Sequence, residues 1–268
     1  MIFKDKIENN QNNSHKLGLK LWSINTDNYL YEAIRLFENG FFDYIELYMV
    51  PDNIDKLKNW QIAKKNHNIP FTLHAPHFMH GINLADKEKE TFNMKIFEQV
   101  KAFSDELDAN YVVIHGGIEG KVEETIRQLK MINLSNMLIE NKPYIAPIGE
   151  RFCRGAFIEE IKHIITEVGC GFCLDVGHAI CSANSFKKEP YSYLEEFNNL
   201  KPVCYHLSDG FIDSEIDKHL NFGGGNFDFN RIFDIIDRDK NIAIETKKNS
   251  KENLDDFVKD VRFLKGLY

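Results

Sequence analysis

The chain has 268 residues, 43% of them apolar, and a formal charge of −8. That apolar fraction supplies a large core, while the acidic balance argues against a sequence-independent grip on phosphate backbones, which needs clustered Lys and Arg. No run of about 18 apolar residues occurs, so no membrane span is expected.

The opening MIFKDKIENNQNNSHK is polar and has no apolar centre. It is read as a lead-in over residues 1–16, mobile from Glu8 to His15, and not as an export signal. Five cysteines, an odd number, then read as reduced thiols in a cytoplasmic protein. The first strand candidate is LGLKLWS (17–23), followed by a helical stretch, TDNYLYEAIRLFENG, with Thr26 as its cap and Gly40 as its stop. DYIELYM (43–49) and PFTLHA (70–75) read as the next strands, and KETFNMKIFEQVKAFSDEL spaces apolar residues three and four apart. YVVIHG (111–116) precedes EETIRQLKMI, and NMLIEN (136–141) precedes GAFIEEIKHIITEV, whose helix is expected to begin near Gly155. GFCLDV (171–176), VCYHLS (203–208) and IAIET (242–246) precede the helical YSYLEEF, FNRIFDII and ENLDDFVKDVRFLKGL.

Eight strands alternating with helical segments predict an α/β fold, a single (β/α)₈ TIM barrel over residues 17–268. The strands are apolar on both faces, as a buried parallel sheet requires. A doubly wound open sheet fits less well, because the first turn, WSINTDNY, lacks a glycine-rich phosphate loop.

From the third strand to the eighth, each apolar run ends in a metal-competent side chain: His74, His115, Glu140, Asp175, His206 and Glu245. His178 follows Asp175 by three residues, on the turn beyond the strand, and Asp217 and His219 lie in the long loop after the seventh strand. In a barrel these strand ends converge on one mouth. A lone histidine there is most often a hydrogen-bonded core residue. Three carboxylates ringed about one mouth, however, repel one another unless protonated or neutralised by a cation. Imidazole and carboxylate are the ligand set of zinc, manganese and similar divalent ions, so a divalent metal is expected at the mouth.

Cys170 and Cys173 form a C-x-x-C pair in the sixth strand. Residues three apart on a regular strand point to opposite faces, so the pair is expected to be packing and not an ion clamp. Gly223-Gly224-Gly225 is read as a tight turn, since no G-K-[ST] follows. His77 and His80 are expected to face solvent in preference to gating the mouth, Trp22 to fill core in preference to flooring a sugar site, and His163 to sit in an amphipathic helix without a function.

The strings LHAP (73–76), VVIHGG (112–117), LIEN (138–141), GFCLDVGH (171–178), YHLSD (205–209), DKHLNFGGGNFDF (217–229) and IET (244–246) carry a family likeness over nearly the whole chain. In them the chain resembles the xylose-isomerase-like barrel superfamily, which includes sugar isomerases and epimerases and endonuclease IV. The resemblance implies metal at the C-terminal mouth. On the ketose-epimerase pattern, Glu140, Asp175, His206 and Glu245 match a single metal site, and His178 matches a residue that touches the sugar. On the endonuclease IV pattern the matches are three zinc sites. His74 and His115 share one ion with Glu140; Glu140, Asp175, His206 and Glu245 hold the second; His178, Asp217 and His219 hold the third.

The chain departs from the endonuclease pattern where DNA would be read. Its first strand has Lys20 where a histidine is expected, HGG replaces H-P-G, and no loop interleaves basic and aromatic residues. The favoured function is therefore a divalent-metal-dependent carbohydrate isomerase or epimerase working through an enediolate, with Glu140 and Glu245 as ligands that also transfer protons. The alternatives are a trinuclear-zinc phosphodiesterase acting at abasic sites, and a metal- or carbohydrate-binding barrel without turnover. Lys142, Arg151 and Arg154, just ahead of a helix start, suggest an anion site for a sugar phosphate or acidic sugar. The expected partner is a small carbohydrate; nucleic acid and membrane are disfavoured.

Overall fold

The structure, a computed structural model, describes residues 15–146 and 151–267. The lead-in expected at the N-terminus therefore lies outside the described residues except for His15 and Lys16, and so do residues 147–150 of the loop after the fifth strand. Eight parallel strands close in chain order into a barrel: β1 (Leu17–Trp22), β2 (Tyr44–Tyr48), β3 (Phe71–His74), β4 (Val112–His115), β5 (Met137–Glu140), β6 (Gly171–Asp175), β7 (Cys204–Leu207) and β8 (Asn241–Ile244). The helices α1 (Asp27–Glu38), α2 (Leu57–His67), α3 (Glu90–Leu107), α4 (Val122–Leu129) and α5 (Ile158–Val168) follow the first five strands. Two helices, α6 (Val176–Ser185) and α7 (Pro190–Asn198), follow β6, and α8 (Phe229–Ile235) and α9 (Asp255–Lys265) complete the ring. The single (β/α)₈ barrel read from the sequence is the observed fold. Among the described residues no helix is long and apolar enough to cross a membrane.

Local differences have local causes. Thr26 stands at the N-cap of α1 but makes no capping bond through its side chain, and Asn39 ends the helix one residue before Gly40. The helix after β5 starts at Ile158 and not near Gly155, because Gly155 holds φ at +91°, outside the right-handed helical region. α6 occupies what reads as a turn: residues Val176 through Ala183 are all buried, so the segment has no polar face and no amphipathic period.

The main core lies between strands and helices. Trp60 is buried there and donates from Nε1 to the Ser23 carbonyl at 2.9 Å, so its truncation to Ala costs about 3–5 kcal/mol. A second, smaller cluster of Tyr111, Val113, Leu138, Cys173 and Cys204 plugs the barrel interior. Cys173 and Cys204 are register partners across β6 and β7, whereas Cys170 packs half-buried against the outer core. The C-x-x-C pair is thus split between two layers, and all five thiols are free. Gly18 belongs to this plug, since a Cβ there would meet the Tyr44 ring at 2.3 Å. Above the plug the interior turns polar. Lys20, Glu46 and Thr72 share one register row, and the rows above bring His74, His115, Glu140, Asp175 and His206 to the C-terminal mouth.

Candidate metal centre

All nine residues proposed as ligands meet at this mouth. Their donor atoms form four sets, each within 4.8 Å: three that share residues, His74, His115 and Glu140; His74, His206 and Glu245; and Glu140, Asp175 and His206; and a separate one, His178, Asp217 and His219. Glu140 sits at the centre. Its Oε2 lies 3.1 Å from His74 Nε2, 2.9 Å from His115 Nε2 and 3.7 Å from His206 Nδ1, and its Oε1 lies 3.0 Å from His178 Nδ1. Asp175 ends β6 and caps α6, accepting the His178 amide at 2.7 Å, which fixes the histidine over the mouth.

The orientation of the imidazoles carries chemical information. His74 Nδ1 donates to the Ala75 carbonyl at 2.8 Å, His178 Nδ1 to that of Asn141 at 3.0 Å, and His219 Nδ1 to that of Glu245 at 2.9 Å. A carbonyl only accepts, so in each neutral ring the proton is on Nδ1 and the lone pair on Nε2. Those Nε2 atoms face carboxylates: Glu140 for His74, and Asp217 at 3.3 Å and 2.5 Å for His178 and His219. His206 is reversed. Its Nε2 lies 3.0 Å from Glu46 Oε2, leaving Nδ1 toward the mouth, 2.7 Å from Glu245 Oε1 yet without an aligned hydrogen bond. A lone pair set against a carboxylate needs a positive charge between them, and either a proton or a metal ion supplies it. The residues fit a divalent cation.

Electrostatics divide the cluster in two. Burial, reinforced by Lys142 at His115 and by Lys20 at His74, pushes both imidazoles below their ordinary value and keeps them neutral. Burial is the largest influence and works against charge on His178 too, but Asp175, Asp217 and Glu140 together outweigh it and lift the ring to about 10. His206 is raised well above its ordinary value by Glu245 and Glu46 against the same burial. Burial would raise Glu140 and Glu245, but Lys142 and His115 hold the first, and His206 and Lys20 the second, well below the usual carboxylate range. Asp175 is raised, chiefly by burial, with Asp217 and Glu140 adding to the effect.

Several participants lie outside the expected set. Glu46, in the middle of β2, is fully buried and holds His206, and Lys20 bridges Glu46 and Glu245. Tyr48 stacks on His74 with ring centroids 5.3 Å apart and binds His80 Nδ1 through its hydroxyl at 2.8 Å. His77 does not face solvent, since it stacks on His115 with centroids 4.8 Å apart and planes 9° from parallel. Trp22 is not core: it is 45% exposed, leans on Tyr48 and lines the mouth. Of the expected anion site, only Lys142 reaches the cavity. Arg154 pairs with Glu160 at 2.6 Å, Arg151 is exposed, and Glu160 also takes the Gly155 amide at 2.7 Å. The first turn of α5 already carries two carboxylates of its own, Glu159 and Glu160, which disfavour a further anion there.

The fold and this mouth define a (β/α)₈ barrel with candidate metal-binding groups at its C-terminal end. The chain belongs to the xylose isomerase-like TIM barrel family, whose model matches residues 35–267. It is 27% identical over 178 residues to a probable endonuclease 4 of Thermoplasma volcanium, a match spanning 60% of either chain. Among solved structures, a D-tagatose 3-epimerase-like protein superposes with a TM-score of 0.74 at 19% identity, covering 94% of this chain and 96% of that one. Endonuclease IV from Thermus thermophilus gives 0.70 at 18% identity, covering 94% and 98%. A further Thermus thermophilus protein, soaked with zinc chloride, gives 0.66 at 19%, covering 94% and 97%. These structural likenesses establish the fold, and they include both sugar-converting and DNA-cleaving proteins.

Proposed function

We propose that the protein is a divalent-metal-dependent isomerase or epimerase of small carbohydrates. The observation that carries this reading is the cavity above the cluster. It has a volume of about 550 Å³, and its lining combines the apolar Trp22, Tyr48, Phe78 and Met79 with the charged Lys20, Lys142 and Glu245. That volume and the mixture of aromatic wall with convergent polar groups suit a small ligand. Glu140, Asp175, His206 and Glu245 would hold the ion, with zinc and manganese as the metals suited to such donors. When bound, a divalent cation supplies Lewis-acid polarisation of a substrate carbonyl.

The chain's own groups then move the proton. Glu245 lines the cavity beside the Lys20 ammonium, which keeps its carboxylate ionised and able to take a proton from the carbon next to a carbonyl. Lys142 faces the same cavity and stabilises negative charge as it develops on a substrate oxygen. Glu140 is the second carboxylate: its Oε1 faces Lys142 and His178, both of which line the cavity, and once it has taken a proton from one of these two cations it returns that proton to the substrate from their side. The aromatic wall covers the apolar face of a sugar ring.

Hydrolysis of phosphodiesters at abasic sites is the second reading, supported by the triple donor arrangement and by the probable endonuclease 4 relative. One paired experiment separates them. Metal-loaded protein is incubated in deuterated water with a ketose panel, and in parallel with an abasic-site oligonucleotide. Deuterium appearing on the carbon next to the sugar carbonyl is the expected result. Chelator-sensitive nicking without sugar exchange would overturn the proposal in favour of the nuclease.

A further inference from the structure

We infer that the loops after β1 and β8 form an anion subsite of the cavity, in which Lys248, with Lys247 and Asn25, holds the phosphate or carboxylate of an anionic sugar. This names a substrate class and rests on the carbohydrate reading of the mouth. Four lysines line the cavity: Lys20, Lys142, Lys247 and Lys248. The first two already have carboxylate partners, since Lys20 bridges Glu46 and Glu245 and Lys142 lies 3.2 Å from Glu140 Oε1. Lys247 and Lys248 pair with no carboxylate among the described residues. The nearby acids are engaged by neutral donors instead. Glu252 takes Asn28 Nδ2 at 2.6 Å, and Asp260 takes Asn221 Nδ2 at 2.8 Å and the Phe222 amide at 2.9 Å.

The donors are held in place. β1 and β8 are neighbours in the barrel, so their loops rise side by side, and the Tyr29 hydroxyl ties them by donating to the Ser250 carbonyl. Asn221 Nδ2 donates to the Lys247 carbonyl at 2.9 Å. Lys248 Nζ donates to the carbonyl of Thr246 at 3.0 Å, which occupies one of its three hydrogens and leaves two. Asn25 Oδ1 accepts the Trp22 amide at 2.6 Å, so its Nδ2 keeps both hydrogens without a partner among the described residues. Two ammoniums and a carboxamide present a set of donors that an oxyanion satisfies through charge-assisted hydrogen bonds. Lys248 is partly buried, and burial outweighs the attraction of Asp260 and Glu245, bringing its ammonium down to about 8. That is the direction expected of a cation set into a wall without a close counter-ion, and it is still charged at neutral pH. Lys248 follows Glu245 by three residues, at most about 11 Å of chain. A short sugar therefore reaches from the carboxylate at its carbonyl end to the ammonium at its anionic end.

The test is calorimetric titration of metal-loaded wild type, Lys248→Met and Lys248→Arg with D-fructose, D-fructose 6-phosphate and D-fructuronate. Wild type is expected to bind the phosphate or the uronate roughly 10–100-fold more tightly than the neutral sugar, as one hydrogen bond to a charged group allows. The two anionic arms tell which oxyanion the subsite takes. Lys248→Met is expected to lose that preference and Lys248→Arg, which keeps the charge, to retain most of it. Equal affinities for the three sugars in wild type overturn the inference, as does binding of none of them or a preference that survives in Lys248→Met. If Lys248→Met does not fold, Lys248→Gln takes its place in the comparison. Failure of the isomerase reading shows separately. Lys248-dependent binding of an anionic sugar without deuterium exchange into it supports the subsite and removes the reaction. Lys248-dependent binding of an abasic-site oligonucleotide, with no sugar bound, overturns both.

Discussion

Glu46 Oε2 lies 3.0 Å from His206 Nε2, and both side chains are fully buried. This contact sets which nitrogen of His206 faces the mouth, since a carboxylate can only accept and Nε2 must therefore carry the proton. Glu46→Gln keeps the shape and removes the charge that raises the basicity of the ring. Divalent-ion affinity is expected to fall by roughly 10–100-fold, measured by calorimetric titration with zinc and manganese. Unchanged affinity would show that Glu46 only fills space.

Removing the ion should weaken the fold as well as silence the site. Glu140, Asp175 and Glu245 converge at the mouth, and the lysines neutralise only part of that charge. A ligand present at 100 times its dissociation constant stabilises the folded state by about 2.7 kcal/mol. For a chain of this size that raises the melting temperature by roughly 5–10 °C. Scanning calorimetry of chelator-treated protein, with and without added manganese or zinc, measures it. Coincident melting curves would argue against a cation at the mouth.

Glu245 is, with Asp217, a carboxylate that lines the cavity, and Glu245→Gln separates its two roles. The amide retains one oxygen for an ion but has no basicity. Proton abstraction is expected to slow by at least about 10²-fold, while metal content stays at the wild-type count. Deuterium exchange into the accepted sugar, followed by NMR, reads the first effect, and elemental analysis the second. Equal exchange in both proteins would remove Glu245 from the proton path.

Much of this is legible in the chain because strand ends in a barrel have only one place to go. An apolar run closing on His74, His115, Glu140 or Asp175 already puts each side chain at the mouth. Glu46 and Lys20 are hidden for the opposite reason: they stand inside their runs, in YIELY and LGLKLW, where the apolar neighbours dominate the pattern. A charge in the middle of a two-sided apolar strand is itself the signal, since it must find a buried partner. Trp22 and His77 depend on how loops fold back, which periodicity does not report. Arg154 reads as free in the sequence because its partner, Glu160, lies six residues on, in the first turn of the helix whose start it was meant to serve.

Asp209 is the last control point, because it holds the loop that delivers Asp217 and His219. It is buried, and it accepts backbone amides from Gly210 at 2.8 Å, Gly223 at 2.9 Å, Gly225 at 2.9 Å and Phe227 at 3.4 Å. The three consecutive glycines exist for this wrap: Gly223 has φ +82°, and a Cβ on Gly225 would meet the Gly210 carbonyl oxygen at 2.1 Å. Each hydrogen bond to a buried charge contributes roughly 1.5–3 kcal/mol, so Asp209→Ala is expected to destabilise by about 3 kcal/mol or more. The loss should be local first. Amides of Gly223 to Phe227 should lose protection from hydrogen exchange, and Asp217 and His219 their fixed position, while His74, His115 and Glu140 on the strands keep theirs. Urea denaturation gives the first number and exchange mass spectrometry the second. Loop amides that exchange as slowly in the variant as in the wild type would show that the turn holds itself without the carboxylate.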